Sequence, residues 1–214
     1  MDEKKAGSAP DEGDADIEHL SKAVVRLSNE LASVRRELEE AKAQLRNREE
    51  QVRVMSLVDR ITGLGNPRAF EQALEVEVHR AGRYGGPLCL ALAAIDGLEG
   101  IASHLGQEQA DEVLRCFARV VGNETRKSDI ACRVGDNRFM LLLTHTPPDR
   151  AVGITERIRR SFAAAAPGMA ATSATASFGH AEWREGDDAG AVMARAEKAF
   201  DAARASGGDR VESA

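Results

Sequence analysis

The chain has 214 residues, 43% of them hydrophobic and 30% charged, which leaves room for one full domain and an appended element. A formal net charge of -6 gives no basis for nucleic acid or an anionic lipid surface as partner, and no stretch approaches the roughly 20 apolar residues a membrane helix needs. Cys89, Cys116 and Cys132 sit in apolar runs rather than at metal-like spacings, and no signal-peptide pattern precedes them, so they read as reduced, buried thiols of a cytoplasmic protein.

Residues 1–16 are acidic and rich in Asp, Gly and Ala, with no apolar period, and are expected to be a disordered tail. From Ile17 the apolar positions fall at Leu20, Val24, Leu27, Leu31, Val34, Leu38, Ala41, Leu45, Val52 and Met55, in alternating steps of three and four broken only at Arg48. That spacing is a heptad seam and predicts a coiled coil over 17–57. With Val24, Leu31, Leu38 and Leu45 at the a positions, a parallel pair sets Glu30 against Arg35 and Glu37 against Lys42 of the second chain. Both pairings are attractive, so a parallel homodimer is expected. A single solvated helix would explain the charges but would leave the apolar stripe uncovered.

The rest, 58–214, alternates helical and strand patterns. Asn66-Pro67 reads as an N-cap followed by proline at the first helical position, opening a helix through about Arg80. Leu88 to Ile95 is an apolar run of strand length, and Leu105 to Val121 has helical period. Ile130 to Val134 and Phe139 to Thr144 form a hairpin around Gly135-Asp136-Asn137-Arg138. A helix over Asp149 to Ala165, a strand near Thr172 to Gly179 and a helix over Ala189 to Arg204 complete the order.

Several segments carry a resemblance. Asp59-Arg60-Ile61-Thr62-Gly63-Leu64-Gly65-Asn66, Pro87-Leu88, Ile95-Asp96, Ser177-Phe178-Gly179 and Ala196-Glu197-Lys198-Ala199-Phe200 follow in unbroken order the pattern of the GGDEF, or diguanylate cyclase, family. The resemblance implies an α/β domain, more narrowly α+β. It is a nucleotide-cyclase-like palm with a central, mostly antiparallel sheet flanked by helices, here preceded by the coiled-coil helix.

It also implies which positions should carry chemistry, and there the chain departs from the family. Carboxylates that hold divalent ions on GTP are replaced by Ala94 and Asn137, and a family Glu by Arg138. Neutral groups hold magnesium weakly beside a triphosphate, and Arg138 adds a cation where the ions should sit. The Asn that reads guanine is Ala102, while its partner in the base pocket survives as Asp111, a residue that a helix N-terminus would also favour. Arg204 stands for a phosphate-side Lys, and Gly208 for a terminal Arg. The expectation is a degenerate domain without turnover, needing neither metal nor cofactor.

A second family site is retained. Many of its cyclases bind an intercalated pair of cyclic di-GMP molecules at an inhibitory Arg-x-x-Asp motif before the signature hairpin, and Arg126-Lys127-Ser128-Asp129 occupies that register. Arg157, in Glu156-Arg157-Ile158-Arg159, matches a third arginine of that site from the next helix. Arginine offers a planar donor fork to guanine or phosphate, and aspartate accepts from guanine N–H groups. The tetrapeptide alone is weak, because it recurs at Arg133 to Asp136 and at Arg184 to Asp187. Three readings follow from the resemblance. The first is a cyclic di-GMP receptor signalling to a protein partner, the second a nucleotide-free dimerisation and interaction scaffold, and the third, which must dispense with the lost carboxylates, an active cyclase.

Overall fold

The computed structural model describes residues 22, 24, 26–44, 56–166 and 174–214. The expected tail, and the expected break of the seam at Arg48, lie outside them. The chain divides into two compact units, Met1–Met55 and Ser56–Ala214, each considered by itself.

In the first unit residues 26–44 form one helix, α1. Its polar faces are laced by short-range contacts, Arg26 Nε to Glu30 at 3.4 Å and Lys42 Nζ to Glu39 at 3.0 Å. The a and d side chains Val24, Leu27, Leu31, Val34 and Leu38 stand 52–62% exposed in the single chain. Such a continuous apolar stripe is what a partner helix covers.

The second unit runs α2 (Pro67–Tyr84), β1 (Leu88–Ile95), α3 (Leu98–Leu105), α4 (Gln107–Glu124), β2 (Ile130–Arg133), β3 (Arg138–Thr144), α5 (Pro148–Ala165), β4 (Ala176–Glu182), α6 (Ala189–Ala205) and β5 (Val211–Ser213). The five strands form one sheet in the order β2-β3-β1-β4-β5, antiparallel except for the β4–β5 pair. The expected mostly antiparallel sheet flanked by helices is therefore the architecture found.

Central β1 is buried at every residue, as an unbroken apolar run requires, and its alternate side chains serve different cores. Cys89, Ala91, Ala93 and Ile95 face α3, α4 and α5, where Phe117 packs on Phe139, Phe162 and Phe178 with ring centroids 4.6, 5.0 and 6.2 Å away. Leu88, Leu90, Leu92 and Ala94 face α2 and α6 through Phe70, Leu74, Val192, Ala196 and Phe200. All three cysteines are buried free thiols, and burial pushes Cys89 up to about 12 and Cys132 up to about 11. Gly179 on β4 lies against the backbone of α6, where a Cβ would stand 2.1 Å from the Phe200 nitrogen. Only glycine permits that approach.

Element limits depart from expectation in four places. The helix expected over Leu105 to Val121 is α4, which begins after Gly106, at φ 91°, and runs on to Glu124, and it is preceded by a short helix, α3, that was not expected. The strand expected near Thr172 to Gly179 starts at Ala176 and extends to Glu182, since its pairing with β1 continues to Cys89. Residues 172 and 173 lie outside the described set. Helix α2 runs on to Tyr84, where Gly85 caps it. Short β5, too brief and polar to read from pattern, adds a parallel edge.

Candidate functional site

The chemistry-bearing residues gather around the β2–β3 hairpin, at its turn and at its opposite end. The turn is fixed from within. Arg133 closes β2 and gives its guanidinium to the carbonyls of Gly135 (3.1 Å) and Asp136 (2.7 Å), and reaches the Asp59 carboxylate at 3.5 Å. Asp59 in turn accepts from the Thr62 hydroxyl (2.6 Å) and the Thr62 N–H (2.9 Å), which locks the Asp59-to-Gly65 turn beside the hairpin. Phe139, buried in the aromatic cluster, anchors the far side.

At this turn Asn137 is tied to the end of β1. The Ile95 N–H donates to the Asn137 carbonyl at 3.1 Å, and the Asn137 side-chain amide donates to the Ile95 carbonyl at 3.1 Å. Ala94 is buried and paired across the sheet with Arg138, so the positions of the expected ion site are neighbours. The guanidinium of Arg138 does not stand free over that place, however. It turns to α6, 3.3 Å from Glu197 and 5.6 Å from the ring centroid of Phe200.

Asp96, the next carboxylate, is consumed by the protein. It accepts from the hydroxyls of Thr175 and Ser177, each at 2.8 Å, and from the Asp209 N–H at 3.2 Å. Among the described residues no group of three or more His, Cys, Asp or Glu side chains is placed to hold a metal ion. The residues present do not fit the divalent ions that the family's chemistry requires, because carboxylate oxygens are what such ions demand.

Beside the turn lies a cavity of about 570 Å³ walled by Leu98, Glu99, Ala102, Gln107 and Asn137. Asp111, expected in a vestigial base pocket, is not part of its wall. Its carboxylate accepts from Gln107 at 2.8 Å and lies 4.0 Å from Arg115, as suits an acid in the second turn of α4. Arg204 stacks over the Phe200 ring at 5.9 Å.

At the other end of the hairpin, Arg126 to Asp129 forms a closed turn. The Asp129 carboxylate accepts from the Arg126 N–H at 2.8 Å, and the Asp129 N–H donates to the Arg126 carbonyl at 3.0 Å. The second Asp129 oxygen, Oδ1, is buried without a hydrogen-bond partner. Arg184 to Asp187 builds the same turn, at 2.7 and 2.9 Å, but there the carboxylate is occupied by the guanidinium of Arg195, which holds it below the usual carboxylate range. Two of the three Arg-x-x-Asp tetrapeptides thus give the same backbone turn and differ in what their carboxylates meet, while at the third the Arg133 N–H donates to Gly65 instead.

Next to Arg126 lies a cavity of about 360 Å³ bordered by Glu124, Arg126, His145, Arg150, Gly153 and Arg157. Arg126 and Arg157 border this one concavity, whereas Asp129, the third residue expected in the ligand site, is not among its lining. Arg157 Nε donates to Glu124 at 3.0 Å, and that bond, with a second from Ser161, holds the Glu124 carboxyl below its ordinary value. His145 and Arg150, which no local pattern marks, border the cavity as well.

Residues 56–210 match the family model described as the diguanylate cyclase GGDEF domain. The chain is 34% identical over 198 residues to the diguanylate cyclase DgcP of Pseudomonas aeruginosa, covering 91% of this chain and 29% of that protein. It is 33% identical over 172 residues to the response regulator PleD of Caulobacter vibrioides, covering 78% and 38%. It thus spans well under half the length of these relatives. The coiled coil and GGDEF domain of DgcB from Caulobacter crescentus, solved with cyclic di-GMP, superposes with a TM-score of 0.72 at 28% identity, covering 90% of this chain and 99% of that one. The diguanylate cyclase SiaD of Pseudomonas aeruginosa, solved with its activator SiaC, gives 0.70 at 29% identity, covering 94% and 78%.

Proposed function

The chain belongs to the GGDEF family, and we propose that it is a member without turnover that acts as a cyclic di-GMP receptor through Arg126, Asp129 and Arg157. The carrying observation is the unequal state of the two ends of one hairpin. At the turn, the ion positions hold an alanine and an amide already bonded to protein. At the other end, the Arg126 side chain makes no ion pair or hydrogen bond among the described residues, and Asp129 Oδ1 has no partner. A guanine edge offers O6 and N7 acceptors to the Arg126 donor fork, and its N–H groups suit Asp129 once the buried Oδ1 is uncovered. Solved relatives with cyclic di-GMP support the same ligand.

Assembly follows from the exposed stripe of α1, which a second copy covers in a parallel coiled coil. A protein partner receives the signal, as the activator complex of SiaD illustrates for a relative. The deciding experiment is calorimetry of the intact chain with cyclic di-GMP, run beside a turnover assay with GTP and magnesium. Binding without product is the expected result. Absence of binding favours the nucleotide-free scaffold, and product formation restores the active cyclase.

A further inference from the structure

Strand β3 passes into α5 through Thr144, His145 and Thr146, and this corner is unusually well fastened. The Thr144 hydroxyl donates to the Ser128 carbonyl at 3.0 Å, tying the corner to the Arg126-to-Asp129 turn. The Thr146 N–H donates to Pro87 at 3.2 Å and its hydroxyl to Thr144 at 2.9 Å. Between the two buried threonines, His145 adopts φ 49°, the left-handed region that a non-glycine residue enters only where its surroundings impose it. The imposed conformation sets His145 on the rim of the cavity beside Arg126.

Helix α5 supplies the remaining wall. Arg150, Gly153, Ile154 and Arg157 fall at i, i+3, i+4 and i+7, hence on one helical face, and Gly153 leaves the space between the two arginines open. The charges do not balance. Arg126, Arg150 and Arg157 border the cavity with a single carboxylate, Glu124, which Arg157 already occupies. Among the described residues the side chains of Arg126 and Arg150 make no ion pair or hydrogen bond, so two guanidiniums face one concavity without a counterion. An anion offering several oxygens relieves that repulsion and fills both donor forks.

We propose that Arg150, on the same α5 face as Arg157, and His145 add phosphate-binding groups to this cavity beside Arg126, so that the ligand is held by its phosphate as well as by a guanine edge. The identification of that ligand as cyclic di-GMP rests on the function proposed above, whereas the phosphate chemistry rests on the cavity itself.

Calorimetry of the intact chain with cyclic di-GMP and, separately, with inorganic pyrophosphate tests this on the parent, Arg150→Gln and His145→Asn. Asparagine accepts the left-handed backbone, so the second variant keeps the corner. Arg150→Gln is expected to bind cyclic di-GMP about tenfold or more weakly and His145→Asn a few-fold more weakly. Unchanged melting curves would show both folds intact. A parent that binds the dinucleotide and an Arg150→Gln variant that binds it equally well overturn the phosphate-binding role and leave the receptor reading standing. A parent that binds pyrophosphate but not the dinucleotide, with binding lost in Arg150→Gln, supports the phosphate-binding role and overturns the receptor reading. If neither ligand binds the parent, both fall. If Arg150→Gln alone weakens binding, His145 has no part.

Discussion

Asn137 and Ile95 are joined twice, backbone N–H to carbonyl in one direction and side-chain amide to carbonyl in the other, each at 3.1 Å. The second bond needs a donor. A carboxylate at this position would set oxygen against oxygen, which is tolerable only with a cation between them. Asn137→Asp is therefore expected to lower stability by about 1 to 3 kcal/mol, read by urea denaturation. Magnesium should not restore the loss, because Ala94 offers no second carboxylate. Full stability in the variant would show that the amide tie carries no weight.

The purified chain is expected to yield no cyclic di-GMP from GTP with magnesium or manganese. Ala94→Asp combined with Asn137→Asp should not rescue turnover either. Ala102 still leaves guanine unread in that variant. Product from the unaltered chain would reverse this reading.

A parallel homodimer is expected through the seam, and Leu31→Lys with Leu38→Lys should give monomers. Both leucines are exposed in the single chain and become covered only in a pair, where buried like charges are costly to desolvate. Sedimentation is the measurement, with an unchanged mass as the contrary result. Antiparallel cross-links would contradict only the pairing of Glu30 with Arg35 and Glu37 with Lys42.

Ligand choice separates the two Arg-x-x-Asp turns. Arg126→Ala should weaken cyclic di-GMP binding by about 1.5 to 3 kcal/mol, roughly ten- to a hundredfold, and the parent should prefer cyclic di-GMP to GTP and cyclic di-AMP. Adenine presents a donor where guanine presents O6. Arg184→Ala should change nothing, since the carboxylate of its turn is already held by Arg195. Equal affinity for the two dinucleotides would favour the scaffold.

Acid sensitivity should trace in part to His180. It is buried on β4 with Nε2 unpartnered, and burial lowers its pKa below 6.5. Below pH 6.5 the unfolded chain takes up a proton that the folded chain refuses, so stability falls with pH, by at most about 1.4 kcal/mol per unit for one group. Above that pH the residue is neutral in both states and contributes no slope. The depressed Glu124 and Asp187 add their own loss only at lower pH, in and below the carboxylate range. His180→Leu should therefore flatten stability between pH 7 and 5, and an unaltered slope would exclude this cause.

Much of the fold was legible because local signals and burial agreed. Leu88 to Ile95 read correctly to the residue, being a strand covered on both faces, and the Asn66-Pro67 start of α2 is confirmed by the bond from the Ala69 N–H to Asn66 Oδ1. Helix α3 is not legible from pattern, because Leu98–Leu105 is short and carries Gly100 within it. The direction of Arg138 depended on Glu197, and the difference between the two turns on Arg195, neither of which a motif contains. His145 and Arg150 join Arg126 only after β3 and α5 have folded around them.

The meeting of Gly179 with the Phe200 backbone has a mechanical side. Helices that rest on a sheet through long side chains can roll or slide as rotamers change, but at Gly179 that compliant layer is missing. Strand β4 and α6 must move as one block, with β1 and its tie to Asn137 hydrogen-bonded alongside. Helix α5, by contrast, rests on the sheet through the long side chains of Ile158 and Phe162, whose rotamers leave it room to adjust.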